Sequence, residues 1–151
     1  MVIYQACYHS IRNQQTNRLK QIDQQIDRGT SMFCRGIRGA TTVELNDREE
    51  ILAATRELLQ LMIQRNDIHV EDVVSAIFTV TADLDATFPA LAARSLPEWA
   101  EVALICAREI PVPGSLEKCI RILLHVNTTR RAAEIEHIYI RGAVDLRNSL
   151  N

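Results

Sequence analysis

Lysine is nearly absent from this 151-residue chain: of its 17 basic residues only Lys20 and Lys118 are lysine, and the rest are arginine. So few ε-amino groups leave little room for Schiff-base catalysis, whereas arginine grips carboxylate or phosphate through two parallel hydrogen bonds. Aromatic residues make up only 5% of the chain, too few for base-stacking platforms, and a net charge of −2 offers no basic face to a phosphate backbone. Nucleic acid is therefore not an expected partner. No apolar run approaches the roughly 18 residues that a membrane span needs, and the N-terminus lacks the continuous apolar stretch of a secretory signal. The expectation is a cytoplasmic protein without membrane association.

Metal and redox motifs are missing as well. Cys7, Cys34, Cys106 and Cys119 form no C-x-x-C pair and sit in or near apolar runs, so they read as buried or site-lining free thiols rather than disulfides or metal ligands. His9, His69, His125 and His137 show no ligand spacing, and no metal or other cofactor is expected. Five glycines supply phosphate-cradling loops poorly, and no G-x-S-x-G, H-E-x-x-H, P-loop or G-x-G-x-x-G occurs.

What is present reads as a folded domain. Hydrophobic residues are 47% and charged residues 24% of the chain, near the globular average. Residues 1–31 differ in texture: they are rich in Asn and Gln, and Leu19, Ile22 and Ile26 make only a thin helical stripe. This leader is expected to be a poorly structured extension, with Met32 as the natural start and residues 32–151 as the domain. A strand is expected from Phe33 to Gly39. Asn46 followed by Glu49 resembles a capping box, opening a helix whose buried face holds Ile51, Thr55, Leu58, Leu59 and Met62. In the apolar strand 72–84 the even positions Val74, Ala76, Phe78 and Val80 are expected to point inward. A short helix follows Pro89, then a strand in "EVALICA" and two strand-like runs in "KCIRILLHVNT" and "HIYIRGAVDL". This order argues for an α+β domain with one mixed sheet covered by helices.

Strand alternation sorts the polar groups. Ile120, Ile122, Leu124 and Val126 share the core face of their strand, which leaves Cys119, Arg121, Leu123 and His125 on the other. By the same rule Ile138 and Ile140 face the core while His137, Tyr139 and Arg141 face away. A second face that mixes leucine, cysteine and arginine is too apolar for open solvent, and burial against other subunits is expected. Arginines there need anionic partners, because an unpaired buried charge is costly. Glu109, just beyond the "VALICA" strand, is the acidic candidate.

Taken in order, "RGIRGATTVE", "FPALAAR", "CAREIPVPGSLEKCIR" and "HIYIRGAVDLR" closely resemble the monofunctional chorismate mutases of the AroH class, from Met32 to about Leu150. The resemblance implies a homotrimer whose sheets form a pseudo-barrel, with active sites between subunits. It also implies the rearrangement of chorismate to prephenate on the route to phenylalanine and tyrosine, without cofactor. By motif position, Arg38 would bind a substrate carboxylate, Arg121 the ether oxygen that gains charge, and Glu109 the ring hydroxyl, with Cys106 close by. Tyr139 would reach a carboxylate, Phe88 and Arg94 would sit at the mouth, Leu146 would line the pocket, and Arg147 would lie nearby. Leu91 stands near that mouth where a related enzyme carries a basic residue, and some relatives continue past the position of Asn151 with a tail over the ligand. Substrate capture is thus expected to differ. The alternative is a RidA-type trimer acting on imines or binding carboxylate metabolites, which leaves Glu109, Arg121 and Tyr139 together unexplained.

Overall fold

Two alternations written into adjacent strands position everything else in the domain. In β1 (Phe33–Thr42) the odd residues Ile37, Gly39 and Thr41 are buried, and in β4 (Cys119–Thr128) the even residues Ile120, Ile122, Leu124 and Val126 are buried. The strands pair antiparallel with Ile37 opposite Leu124 and Arg38 opposite Leu123, so the apolar sets fall on one face and Arg38 and Arg121 on the other. The computed structural model describes residues 31–150, with side chains described as far as residue 146. The expectation for the leader lies, apart from Ser31, outside the described residues. From Phe33 onward the chain is one compact unit.

β2 (Val73–Val80) pairs antiparallel with the other side of β4, β3 (Ala103–Arg108) adds parallel to β2, and the two-residue β5 (Ile138–Tyr139) adds parallel to β1. The sheet order is β3-β2-β4-β1-β5, a mixed sheet as the element order suggested. Helix α1 (Arg48–Asn66) covers its core face, and the short α2 (Ala90–Arg94) packs beside α1. Ile51, Thr55, Leu58, Leu59 and Met62 are all buried, as the helical periodicity predicts. Leu58, Leu59 and Met62 meet Ile37, Phe78, Ile122 and Leu124 in the main core. Full burial of each such side chain contributes about 1.5–3 kcal/mol, so this layer dominates the stability of the sheet.

Three local expectations need correction. The helix cap is Asp47, whose Oδ1 accepts from the backbone N–H of Glu49 and Glu50 at 3.0 and 3.1 Å. Asn46 is instead occupied with the loop after β2: its Oδ1 accepts from the backbone N–H of Asp85 and Ala86, and its Nδ2 donates to Asp85. Glu50, not Glu49, reaches back, accepting from the N–H of Glu44 and Leu45. In β2 the register shifts between Val73 and Ser75, so Val73 is buried and Val74 is exposed; the bulge moves the inward phase by one residue at that point only.

The third correction concerns the end of the chain. The "HIYIRGAVDL" run is a strand only over Ile138–Tyr139 and then becomes a 3-10 segment, Arg141–Leu150. Arg141 takes a left-handed conformation, φ 53°. Its guanidinium turns toward the helix layer, donating to Glu57 Oε2 at 2.5 Å and to the carbonyl of Thr42 at 3.3 Å. It does not join the face that alternation assigned to it. Gly142 follows because a Cβ there would lie 2.9 Å from the Thr42 hydroxyl, to which its own N–H donates.

Candidate active site

Across the face of the sheet opposite α1, the strand registers line up Tyr139, Ala40, Arg121 and Thr79 on four neighbouring strands. The next row holds Arg38, Leu123 and Ile77. Glu109, one residue past β3, is held by its backbone N–H bonding to the Val80 carbonyl at 2.9 Å, and its side chain lies on this same face. Behind them the 3-10 segment brings Leu146 over Ala40 and Cys119. These residues enclose a cleft of about 400 Å³. Five sequence candidates, Arg38, Glu109, Arg121, Tyr139 and Leu146, converge on it.

The polar centre of the cleft is an ion pair built across three strands. Arg121 Nη1 donates to Glu109 Oε2 at 3.1 Å, and the hydroxyl of Thr79 donates to Glu109 Oε1. Both groups are only partly exposed, 39% for the Arg121 side chain and 23% for Glu109. The Arg121 Nε is buried and makes no hydrogen bond. Arg121 thus meets its carboxylate through one nitrogen only, and part of its side chain remains open to the cleft. The Arg38 guanidinium is exposed and makes no ion pair among the described residues, while its backbone N–H donates to His137 Nδ1 at 3.2 Å. Beneath Arg121, burial pushes the Cys119 thiol above its ordinary value, with the neighbouring guanidinium pulling the other way. A neutral thiol there leaves the positive charge of Arg121 uncompensated from that side.

Arg35, on the opposite face of β1 from Arg38, stays outside the cleft. Its Nε donates to the Arg130 carbonyl at 3.2 Å and its guanidinium stacks over Phe33, 4.7 Å from the ring centre.

The remaining candidates lie elsewhere in the chain. Cys106 and Phe88 line a second cavity of about 600 Å³, with Leu84, Pro89 and Arg108. The reason is simple alternation: Cys106 is three residues before Glu109, so along an extended strand the two must face opposite sides of the sheet. Cys106 pairs with Phe78 and packs against the helix-covered core. Arg94 donates to the Ala100 carbonyl at 2.6 Å and lines neither cavity. The side chain of Arg147 lies outside the described residues. Sequence reasoning missed Thr79 and Ile77, which line the cleft. The signal was available, since Ser75, Ile77 and Thr79 are the odd partners of the inward-facing residues of β2.

Several large apolar side chains are exposed: Phe88 at 69%, Ile105 at 59%, Val112 at 57% and Ile110 at 81%. Among the described residues no helix is long and apolar enough to cross a membrane, and no cluster of His, Cys, Asp or Glu could hold a metal ion.

The family model for chorismate mutase type I matches residues 34–150. The chain is 45% identical over 120 residues to chorismate mutase AroH of Bacillus subtilis (strain 168), covering 80% of this chain and 94% of that one. It is 50% identical over 117 residues to chorismate mutase AroH of Thermus thermophilus, covering 77% and 95% respectively. A solved chorismate mutase from Clostridium thermocellum superposes with a TM-score of 0.71 at 53% identity, over 72% of this chain and 96% of that one. The chain belongs to the type I chorismate mutases, the AroH class of isomerases.

Proposed function

We propose that the cleft between Arg38, Arg121 and Tyr139 is where this chorismate mutase folds its substrate for rearrangement to prephenate. The reaction is pericyclic: one carbon–oxygen bond breaks as one carbon–carbon bond forms within the same molecule, and no proton changes hands. It needs no nucleophile. It needs a dicarboxylate held in a near-attack shape and fixed positive charge where the ether oxygen becomes negative.

The observation that carries this reading is the partly exposed Arg121, paired with Glu109 through a single nitrogen, in a cleft walled by Ile77, Leu123 and Leu146. Apolar walls lower the local dielectric and strengthen a charge-assisted hydrogen bond. Arg121 donates to the ether oxygen as its bond lengthens. Arg38 and Tyr139 hold substrate carboxylates from the β1–β5 side. Glu109 accepts from the ring hydroxyl while keeping Arg121 in place, and Leu146 excludes water. One preorganised donor of this kind contributes about 3 kcal/mol to the barrier.

The cleft opens at the sheet surface, and Phe88 and Cys106 line a cavity apart from it. A neighbouring copy supplies that second half. The exposed Phe88, Ile105 and Val112 give an apolar surface of the kind that subunits cover. The assembly is a homotrimer with sites at its interfaces, in which Arg94 borders the mouth and Arg147 lies near the ligand. Free cysteines such as Cys34, Cys106 and Cys119 suit a reducing cytoplasm. The reading as a RidA-type protein gains no support, because it gives the Glu109–Arg121 pair no task.

The test is a chorismate-consumption assay on purified full-length protein without added metal or cofactor, with the product identified as prephenate, alongside light scattering for the mass. Conversion by a trimer supports the reading. A well-folded protein that leaves chorismate untouched overturns it.

A further inference from the structure

Glu109 and Arg121 come from strands that are not neighbours. In the order β3-β2-β4 their anchors are two strand spacings apart, about 10 Å. The carboxylate must therefore cross the intervening strand β2, and the residue that it crosses is Thr79, the register partner of Arg121. A large side chain at that point would block the approach, and an alanine would give it no support. Threonine is small, stiff at χ1 because of its β-branch, and carries one donor.

That donor determines how the ion pair is arranged. Unrestrained, an arginine and a carboxylate prefer the two-bond fork, with both carboxylate oxygens on the guanidinium. Here the Thr79 hydroxyl takes Oε1, so only Oε2 contacts Arg121, through Nη1. The Nε is left over, buried and unpartnered. We propose that Thr79 is a positioning residue of the mutase: by holding one oxygen of Glu109 away from Arg121, it keeps the guanidinium from being consumed by its own counterion. The charge and the guanidinium donors that Glu109 does not take stay available to the oxygen of the substrate.

This inference rests on the roles proposed above for Glu109 and Arg121. It assigns a function to a residue that touches neither the reacting bond nor the substrate carboxylates. The Thr79→Val protein keeps shape and branching and removes only the hydroxyl. Glu109 is then free to swing both oxygens onto Arg121. The loss of a charge-assisted hydrogen bond with such a rearrangement lowers kcat by about tenfold to a hundredfold. KM rises less, because the free charge matters most when the ether oxygen becomes negative.

The experiment compares wild type, Thr79→Val, Thr79→Ser and Glu109→Gln, together with the Thr79→Val/Glu109→Gln double variant, in the full chain. It measures kcat, KM, melting temperature and mass. The inference predicts a kcat loss in Thr79→Val at unchanged melting temperature and assembly, recovery of most of it in Thr79→Ser, and little further loss when Thr79→Val is added to Glu109→Gln. A crystal structure of Thr79→Val should have both Glu109 oxygens on Arg121. Full kcat in Thr79→Val overturns the inference, as do a serine variant as slow as valine and additive losses in the double variant. If wild type converts chorismate normally, these outcomes leave the functional reading intact; a wild type without conversion sinks that reading and this inference with it.

Discussion

Replacing Arg121 with alanine separates catalysis from folding, because the two costs differ in size. Catalytically the change removes from the cleft the guanidinium that pairs with Glu109 through Nη1. Losing one preorganised donor costs about 3 kcal/mol in the barrier, roughly 150-fold in kcat. The cost in folding is smaller. With side chains 39% and 23% exposed, the ion pair is screened and contributes about 1 kcal/mol or less. Glu109 also keeps its Thr79 hydrogen bond and gains water where the guanidinium stood. For a domain of this size that corresponds to a melting shift of roughly 2–4 °C. The assay is chorismate disappearance under saturating substrate, with melting and light scattering on the same sample. Arg121→Lys should fall between, since it keeps a charge but loses the planar array of donors. Near-normal turnover from an assembled Arg121→Ala protein would refute the reasoning, as would a protein that fails to fold at all, since that would make Arg121 a structural residue.

Four further outcomes are expected. Glu109→Gln should lower kcat by about tenfold or more while the melting temperature stays within a few degrees, because an amide accepts the ring hydroxyl less strongly and pairs poorly with Arg121; collapse of the fold would assign Glu109 a structural role. Gly39→Ala should lose about 1–3 kcal/mol by overpacking, read from denaturant midpoints, because the new methyl meets Met62 and comes within 3.1 Å of Leu58 Cδ1. Burial raises the pKa of Asp83, but hydrogen bonds from the Thr81 hydroxyl and the Lys118 backbone N–H, with the Lys118 charge, outweigh it and hold the carboxyl below its ordinary 3.8. A depressed acid contributes stability above its unfolded value, so Asp83→Asn should be less stable than wild type at pH 7, and the gap should close as pH falls from about 4 through the folded value; a gap that persists at pH 2 would contradict this. Ile105→Glu, at a position 59% exposed, should lower the mass read by light scattering if the proposed trimer forms through this surface, and an unchanged trimeric mass would place the interface elsewhere.

Much of the fold could be read because its signals are periodic and local. The helix face from Ile51 to Met62 and the inward set of β4 follow from spacing alone, and burial agrees with them residue by residue. The misses share a cause: a local signal overruled by a distant partner. Asn46 looks like a cap but is claimed by the loop at Asp85, and the adjacent Asp47 takes over. Val74 fits the alternation until a bulge in pairing with β4 shifts it outward. Arg141 fits it until its left-handed turn and the bond to Glu57 on α1 carry it to the other side.

The site was legible to a different depth. Arg121 and Tyr139 could be assigned by alternation to the face away from the core, since residues on one face recur every second position, whereas Arg38 followed from its motif position. That Glu109 crosses β2 to reach Arg121 could not, because nothing in the sequence orders β3 beside β2 rather than at the other edge. Alternation could have put Thr79 on that face, but its importance comes from lying beneath the crossing and was unreadable for the same reason. Yet one constraint on the site was available from spacing alone. Cys106 and Glu109 are three residues apart on an extended segment and so face opposite sides of one sheet. Under the proposed interfacial site, a substrate that touches both groups takes Glu109 from one copy of the chain and Cys106 from another.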